Sequence, residues 1–158
     1  MRTPFHLRAW HSALNVALKA RAITDGFPRR GYSALKAQLL DSAEGIGHSI
    51  AEGRGSESQR EFNRFLDIAN KSATELSAQV TLGMGYGIIP ERRGRDLLSS
   101  IECTRGLIES LQRTIQADVA REEAEEKERK RLARGSKRAP KAQPSRQRKP
   151  SEEPNSAQ

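Results

Sequence analysis

The sequence predicts an all-α protein, namely an antiparallel up-down-up-down four-helix bundle with a disordered basic C-terminal tail. Apolar residues recur at spacings of three and four in four separate segments, glycine and proline mark the turns between them, and no segment alternates like a β-strand. Each apolar stripe must be buried, and short loops place successive helices side by side. An antiparallel bundle satisfies both conditions.

The first predicted helix starts at Thr3-Pro4, because threonine caps free backbone donors and proline at the first helical position loses no hydrogen bond. It runs to about Ile23, where the segment 25–28 stops it. Its predicted apolar stripe consists of Leu7, Trp10, Ala13, Leu14, Ala17 and Leu18.

The second predicted helix runs from about Tyr32 to Glu52 and ends at a Gly53-Arg54-Gly55 turn. The glycines of this turn also invite a phosphate-binding interpretation, but the spacing is not that of a Walker or dinucleotide motif, so a structural turn is favoured. The predicted buried stripe is Leu35, Leu39, Ala43, Ile46 and Ile50.

The third predicted helix begins at Ser56, which stands at capping-box spacing from Gln59, and ends within the glycine-rich segment 83–87. Pro90 suits the first turn of the fourth helix. The stripe of helix 3 is Phe62, Phe65, Leu66, Ala69, Ala73, Leu76 and Val80, and that of helix 4 is Leu97, Ile101, Ile108, Leu111, Ile115 and Val119. We therefore expect Phe62, Phe65 and Trp10 to pack in the core rather than stack on nucleic-acid bases.

Composition divides the chain into three parts: a bundle over residues 1–119, a charged extension of helix 4 over 120–134, and a disordered basic tail over 135–158. The first 119 residues carry 16 Lys and Arg against 13 Asp and Glu, whereas the remaining residues carry 12 against 7. The net charge of +8 is therefore concentrated toward the C-terminus. A basic excess of this kind favours polyanionic partners such as RNA, DNA or an anionic membrane surface.

Two motifs resemble a known family. The run Ser49-Ile50-Ala51-Glu52-Gly53-Arg54-Gly55 is followed by Glu61-Phe62-Asn63-Arg64-Phe65-Leu66. Over roughly residues 5 to 117 the chain resembles the bacterial proteins encoded in intervening sequences of 23S rRNA genes and, more distantly, the accessory variability proteins of diversity-generating retroelements. The resemblance implies a four-helix bundle, no enzymatic activity, ring-shaped homo-oligomers that are often pentamers, and a reverse transcriptase as a further partner.

The sequence also departs from that family. Asp41 and Glu44 stand where the family typically has more basic or neutral residues, and Ser49 replaces the usual asparagine before Ile-Ala-Glu-Gly. These differences weigh against nucleic-acid binding by the bundle itself.

The candidate contacts for nucleic acid are cations on the polar sides of the helices and in the tail. Cations at the start of helix 4 oppose the helix dipole, which favours an anionic ligand there, whereas helix 3 also carries interleaved acids that allow a purely solvated face. The candidates are Arg54, Arg60, Arg64, Lys71, Arg92, Arg93, Arg95, Lys130, Arg131, Lys137 and Arg138.

The residues predict no catalytic, metal or cofactor site. Cys103 is the only cysteine, and His6 and His11 are five residues apart, on diverging sides of a helix. His48, Ser49 and Glu52 would have to converge to form a nucleophilic site, yet adjacent residues on a helix point about 100° apart. A single cysteine and the lack of a signal-peptide pattern predict a soluble protein of the cytoplasm.

Two hypotheses follow. The first is a non-catalytic, homo-oligomeric protein that binds RNA or DNA, in which symmetry repeats weak phosphate contacts. The second is a structural or protein-interaction scaffold with no direct nucleic-acid contact. An enzyme acting on nucleic acid is disfavoured because no cluster of metal-binding carboxylates stands out in the sequence.

Overall fold

The computed structural model describes residues 7–136, and within them the predicted all-α fold is confirmed. The helices are α1 (Arg8–Thr24), α2 (Ser33–Gly55), α3 (Gln59–Gly85) and α4 (Glu91–Ser136), and residues 7–136 contain no strand. None of these helices is long and apolar enough to cross a membrane. Thr3 and Pro4 lie outside the described residues, but α1 begins at Arg8, after an extended Leu7, and therefore later than predicted. The predicted tail, 135–158, begins too early by two residues, which still belong to α4, and the remainder of it lies outside the described residues.

Side-chain contacts show that neighbouring helices run antiparallel. Ser12 on α1 is hydrogen-bonded to Thr104 on α4 (2.8 Å), and Lys19, two turns further along α1, contacts Asp96, two turns earlier on α4 (2.8 Å). On α3, Arg60 pairs with Glu123 of α4, and Asp67, two turns later, accepts a hydrogen bond from Gln112, three turns earlier on α4. Since α2 packs against both α1 and α3, the four helices form a closed bundle.

The chain divides into two compact units. The first ends at Glu123 and contains the bundle. The second begins at Ala124, and its described residues, 124–136, are the last turns of α4, with exposed side chains where these are described.

The bundle core lies along the apolar stripes predicted for α2, α3 and α4. Burial of large aliphatic side chains is the main stabilising contribution of such a core, at about 25 cal/mol per Å² of apolar surface. The fully buried residues include Leu39, Ile46, Ile50, Leu66, Leu76, Val80, Leu97, Ile101 and Ile108. Phe62 is 4% exposed in the core and Trp10 packs against it, which agrees with core packing. Phe65 is half-buried beside Gly53 and lies outside the core cluster.

The predicted stripe of α1 is wrong in its rotation. Leu14 and Leu18 are 42% and 62% exposed, whereas Ala13, Val16 and Ala20 are buried. The prediction followed the largest apolar side chains, but α1 turns its small residues inward. Close packing against α2 explains this choice, because Ala13 lies against Gly47. Two leucines are consequently left on the surface.

The caps of the α2–α3 turn also differ from the prediction. Ser58, not Ser56, is the N-cap of α3, and its Oγ accepts a hydrogen bond from the Glu61 backbone N–H (3.1 Å). Ser56 Oγ instead donates to the carbonyl of Gly53 (2.6 Å) at the end of α2. The two serines divide the free backbone groups of the turn between them.

Gly87 reverses the chain after α3. Its φ of +72° is in the left-handed region that glycine adopts without strain, and its N–H donates to the carbonyl of Met84 (2.9 Å). The chain then returns over Gly83, where an added Cβ would meet Ile89 Cδ1 at 2.5 Å. Only a hydrogen at position 83 permits this close return into α4.

Candidate nucleic-acid interface

Three of the predicted cations form a row on the outer side of α3. Arg60, Arg64 and Lys71 are exposed, whereas Phe62 and Leu66 on the same helix are buried. Spacings of four and seven residues place the three cations on one face of a helix. We call them the α3 basic ridge.

The cations of the α3 basic ridge differ in their pairing. Arg60 is bound to Glu123 of α4 through an ion pair between exposed side chains. Arg64 and Lys71 form no ion pair within residues 7–136. Asp67 lies between them in sequence, but its Oδ1 accepts a hydrogen bond from Gln112 Nε2 (2.7 Å), which directs it toward α4. Arg64 and Lys71 therefore keep their full charge available to an anion.

Arg54 has a different environment from the α3 basic ridge. It lies in the last turn of α2, where a cation interacts favourably with the helix dipole, and its side chain is half-buried. Its Nε is shielded from solvent and has no hydrogen-bond partner. The adjoining Gly53 has a purely steric role, because a Cβ there would lie 2.6 Å from both Phe62 Cδ2 and Phe65 Cβ. The predicted turn is therefore wrong in its position, because α2 continues past Glu52 and residues 53–55 form its last turn. Gly53 serves the contact between α2 and α3.

The second predicted cluster, Arg92, Arg93 and Arg95, lies exposed in the first turns of α4. Arg95 is held by Glu91 through Nε (3.1 Å) and a terminal nitrogen (2.5 Å), and Glu91 itself favours the helix N-terminus. The unfavourable dipole interaction is thereby offset for Arg95. Arg92 and Arg93 have no acidic partner in the described part of the chain.

The structure does not bring these two clusters together. The α3 basic ridge begins near the α2–α3 turn, whereas α4 starts after the opposite end of α3. Lys71, the nearest member of the α3 basic ridge, lies 14 positions before Gly85 on one helix, and about 1.5 Å per residue separates the clusters by roughly 21 Å along the bundle. They are two separate basic surfaces.

Two of the four candidate cations near the C-terminus lie within the described residues. Lys130 pairs with Glu126 (2.7 Å) and Arg131 with Glu128 (3.6 Å) along the exposed surface of α4. The hydrogen bond and charge of Lys130 lower the pKa of Glu126 below its ordinary 4.5. Lys137 and Arg138 lie outside the described residues.

A polar seam between α3 and α4 escaped the sequence analysis. Asn70 Nδ2 donates to Gln112 Oε1 (3.3 Å), and Gln112 in turn donates to Asp67. Asn63 lies seven residues before Asn70 on the same helix, and its buried Oδ1 has no hydrogen-bond partner. The seven-residue repeat of asparagine beside the apolar stripe was the available signal.

An apolar face on α1 was also missed as a surface feature. Leu14 and Leu18 project beside a cleft of about 150 Å³ between α1 and α2. Its lining is mostly small or apolar and consists of Trp10, Ala13, Leu14, Ala17, Ala43, Glu44, Gly47 and His48. An uneven leucine surface next to small residues is a shape that accommodates another helix.

The histidines do not form a site in the described residues. His48 and Glu52 are exposed, whereas Ser49 is 6% exposed and faces the interior. His11 is exposed and makes an edge contact with Trp10, with ring centroids 5.4 Å apart. Residues 7–136 hold no cluster of three or more His, Cys, Asp or Glu side chains suited to a metal ion. His6 lies outside them.

These features define the chain as an antiparallel α-helical bundle with separate basic surfaces and an exposed apolar face on α1. The model of the 23S rRNA-intervening sequence protein family matches residues 6–110, and the chain belongs to that family. No curated protein sequence matches the chain significantly.

The fold is shared with a solved structure. A crystal structure of a protein of unknown function from Bacteroides thetaiotaomicron VPI-5482, described as a member of the S23 ribosomal protein family, has a TM-score of 0.61 and 20% identity to this chain. The match covers 65% of this chain and 96% of that one. At this identity the similarity establishes the fold alone.

Proposed function

We propose that this protein is a non-catalytic, homo-oligomeric nucleic-acid-binding protein of the cytoplasm, whose ligand is RNA or DNA. The observation that carries the proposal is the pair Arg64 and Lys71, two exposed cations on one face of α3 without an acidic partner in residues 7–136. The family's association with 23S rRNA intervening sequences supports RNA as the ligand.

The geometry of this pair suits a phosphate backbone. Seven helical residues separate Arg64 from Lys71 by roughly 10 Å, or about three base-pair steps along a duplex axis. Each phosphate that a cation neutralises releases condensed counterions, which makes binding dependent on salt. One such pair binds weakly, and several copies of it in an oligomer act as one multivalent site.

The apolar face of α1 supports assembly, and we assign it to a second copy of the chain. The leucines form a ridge and the cleft beside them forms a groove, so one surface supplies both halves of a ridge-into-groove contact. A surface that is its own complement favours a homo-oligomer over an unrelated partner. The pentamer implied by the resemblance and a reverse-transcriptase partner belong to the same proposal.

Charge reversal on α3 tests nucleic-acid binding. Binding of a structured RNA and of duplex DNA is followed by fluorescence anisotropy over a salt series, using the full chain and the double variant R64E/K71E. Loss of two phosphate contacts is expected to lower the slope of log K against log salt by about 1.4 to 1.8.

The control is R29E, combined with R30E to match the change in charge. Both arginines are exposed in the α1–α2 loop, at the other end of the bundle from the α2–α3 turn. Equal slopes for R64E/K71E and R29E/R30E would show that only total charge matters and would refute a site on α3.

The second candidate function, a protein-interaction scaffold without nucleic-acid contact, is favoured by the same apolar face of α1. Sedimentation of the double variant L14S/L18S distinguishes a second copy of the chain from a different protein as the occupant of this face. Both side chains are exposed, so polar replacements should leave the fold intact. Dissociation into monomers supports the second copy. An unchanged oligomer places the subunit contact elsewhere and leaves the face to a different protein.

A further inference from the structure

A pocket of about 240 Å³ lies between the first turns of α3 and the later part of α4 in the bundle unit. Its α4 wall is mainly apolar, with Ile115 4% exposed and Val119 half-buried. Its α3 wall is polar. The lining consists of Gln59, Arg60, Asn63, Ile115, Gln116, Val119, Ala120 and Glu123.

Three primary amides, on Gln59, Asn63 and Gln116, face this pocket, and each offers both donors and an acceptor. The Asn63 Oδ1 is buried and has no hydrogen-bond partner. Further along the same helix pair and outside the pocket, Asn70 Nδ2 donates to Gln112 (3.3 Å), although the Asn70 Oδ1 is likewise buried without a partner. Of these two asparagine oxygens, only that of Asn63 belongs to a residue that lines the pocket. A buried polar atom without a partner requires a physical explanation, and a bound ligand provides one.

The Arg60–Glu123 ion pair joins the two walls of the pocket. The two side chains are 76% and 43% exposed, so water competes with the pair and its opening costs little. Arg60 is the one cation among the lining residues, and it belongs to the α3 basic ridge. A phosphate group can therefore take the place of Glu123 on this guanidinium without disturbing the core.

We propose that this pocket binds one unpaired nucleobase of a looped or single-stranded nucleic acid. The base packs against Ile115 and Val119, the amides bond its edge, and Arg60 exchanges Glu123 for the nucleotide's phosphate. The proposal rests on the nucleic-acid binding proposed above. The pocket volume is below the roughly 300 Å³ at which sites for larger ligands begin, which suits a single base.

This assignment predicts a preference that the α3 basic ridge alone does not provide. Bases in a duplex are stacked and paired, whereas bases in loops are free to enter a pocket and present their edges. Phosphates are common to both forms. The protein should therefore bind an RNA hairpin with an unpaired loop more tightly than a fully paired RNA duplex of equal charge at the same salt concentration.

The test fills the pocket with a side chain. Ala120 is exposed and lines the pocket, and A120L extends into the space that the base would occupy. Its matched control is A117L, also exposed on α4 but outside the lining. Q116A is a second variant, which removes one amide without adding volume. Far-UV circular dichroism and urea midpoints establish that each variant is folded.

Anisotropy with the hairpin and the duplex gives distinct outcomes. We expect A120L to weaken hairpin binding about tenfold while duplex binding stays constant, because the leucine side chain covers apolar surface that the base would bury. Q116A should have a smaller effect in the same direction, and A117L none. Equal affinity of the unmodified protein for both RNAs, or an unchanged preference in A120L, overturns the base pocket but leaves phosphate binding intact. Binding to neither RNA overturns both proposals.

Discussion

Substitution of Gly53 by alanine should destabilise the bundle, although alanine is the better helix former. In the present structure an added Cβ would lie 2.6 Å from Phe62 Cδ2 and from Phe65 Cβ, and ordinary contact begins at 3.4 Å. The methyl group thus requires a displacement of about 0.8 Å. Phe65 Cβ is attached directly to the backbone, and Phe62 is 4% exposed in the core. The α2–α3 contact itself must therefore widen.

Overpacking of this kind costs about 1–3 kcal/mol. Gly55 provides a matched control, because it lies two residues later on α2 and an added Cβ there meets no atom within 4 Å. G55A should be neutral, or more stable by up to about 1 kcal/mol, because alanine restricts the unfolded chain. Both variants replace one glycine by alanine, yet G53A is expected to lower the free energy of unfolding, whereas G55A is expected to leave it unchanged or raise it.

Urea unfolding followed by circular dichroism measures both effects at one fixed protein concentration, because oligomerisation makes stability depend on concentration. We expect the midpoint of G53A to fall and that of G55A to stay or rise. If G53A unfolds at the same urea concentration as the unmodified chain, the steric role of Gly53 is refuted.

Two further predictions concern polar contacts. T104V removes the buried hydroxyl that bonds Ser12 (2.8 Å) and should lower the free energy of unfolding in urea by about 1 kcal/mol. The control T81V removes an exposed hydroxyl that, like that of Thr104, donates to the carbonyl four residues earlier, and it should have little effect. Equal losses in the two variants would contradict this prediction. In NMR titration the pKa of Glu126 should lie below 4.5 and rise in K130A. Because this pKa is lowered in the folded chain, the Glu126–Lys130 pair contributes to folding stability at pH values above the unfolded-state pKa of Glu126. This contribution is lost as the pH falls through the folded-state pKa. A Glu126 pKa unaffected by K130A would contradict the pairing.

The sequence alone predicted much of the bundle because helical periodicity is a local property. The stripes of α2, α3 and α4 were identified from apolar spacing, and the glycine-rich ends of α2 and α3 from backbone propensities. On α3, the basic ridge followed from the same periodicity, since residues at spacings of four and seven share a face whatever the partner helices are.

The details that the sequence predicted wrongly depend on the neighbouring helices. The rotation of α1 is determined by its fit against α2, where small residues pack more closely than Leu14 and Leu18 allow. Likewise, the cap of α3 moved from Ser56 to Ser58 because the turn also had to satisfy the carbonyl of Gly53. Spacing along one chain segment does not contain this information.

By itself, the sequence thus determined the fold class, the identity of the core-forming segments and the sign of the surface charge. Only the tertiary structure decided which cations are available. Arg60 is paired with Glu123, 63 positions away, whereas Arg64 is left without an acid in the described residues. The pocket between α3 and α4 likewise exists only where the two helices meet. Local propensities act over a few residues, but charge pairing and cavities depend on which helices become neighbours in the folded chain.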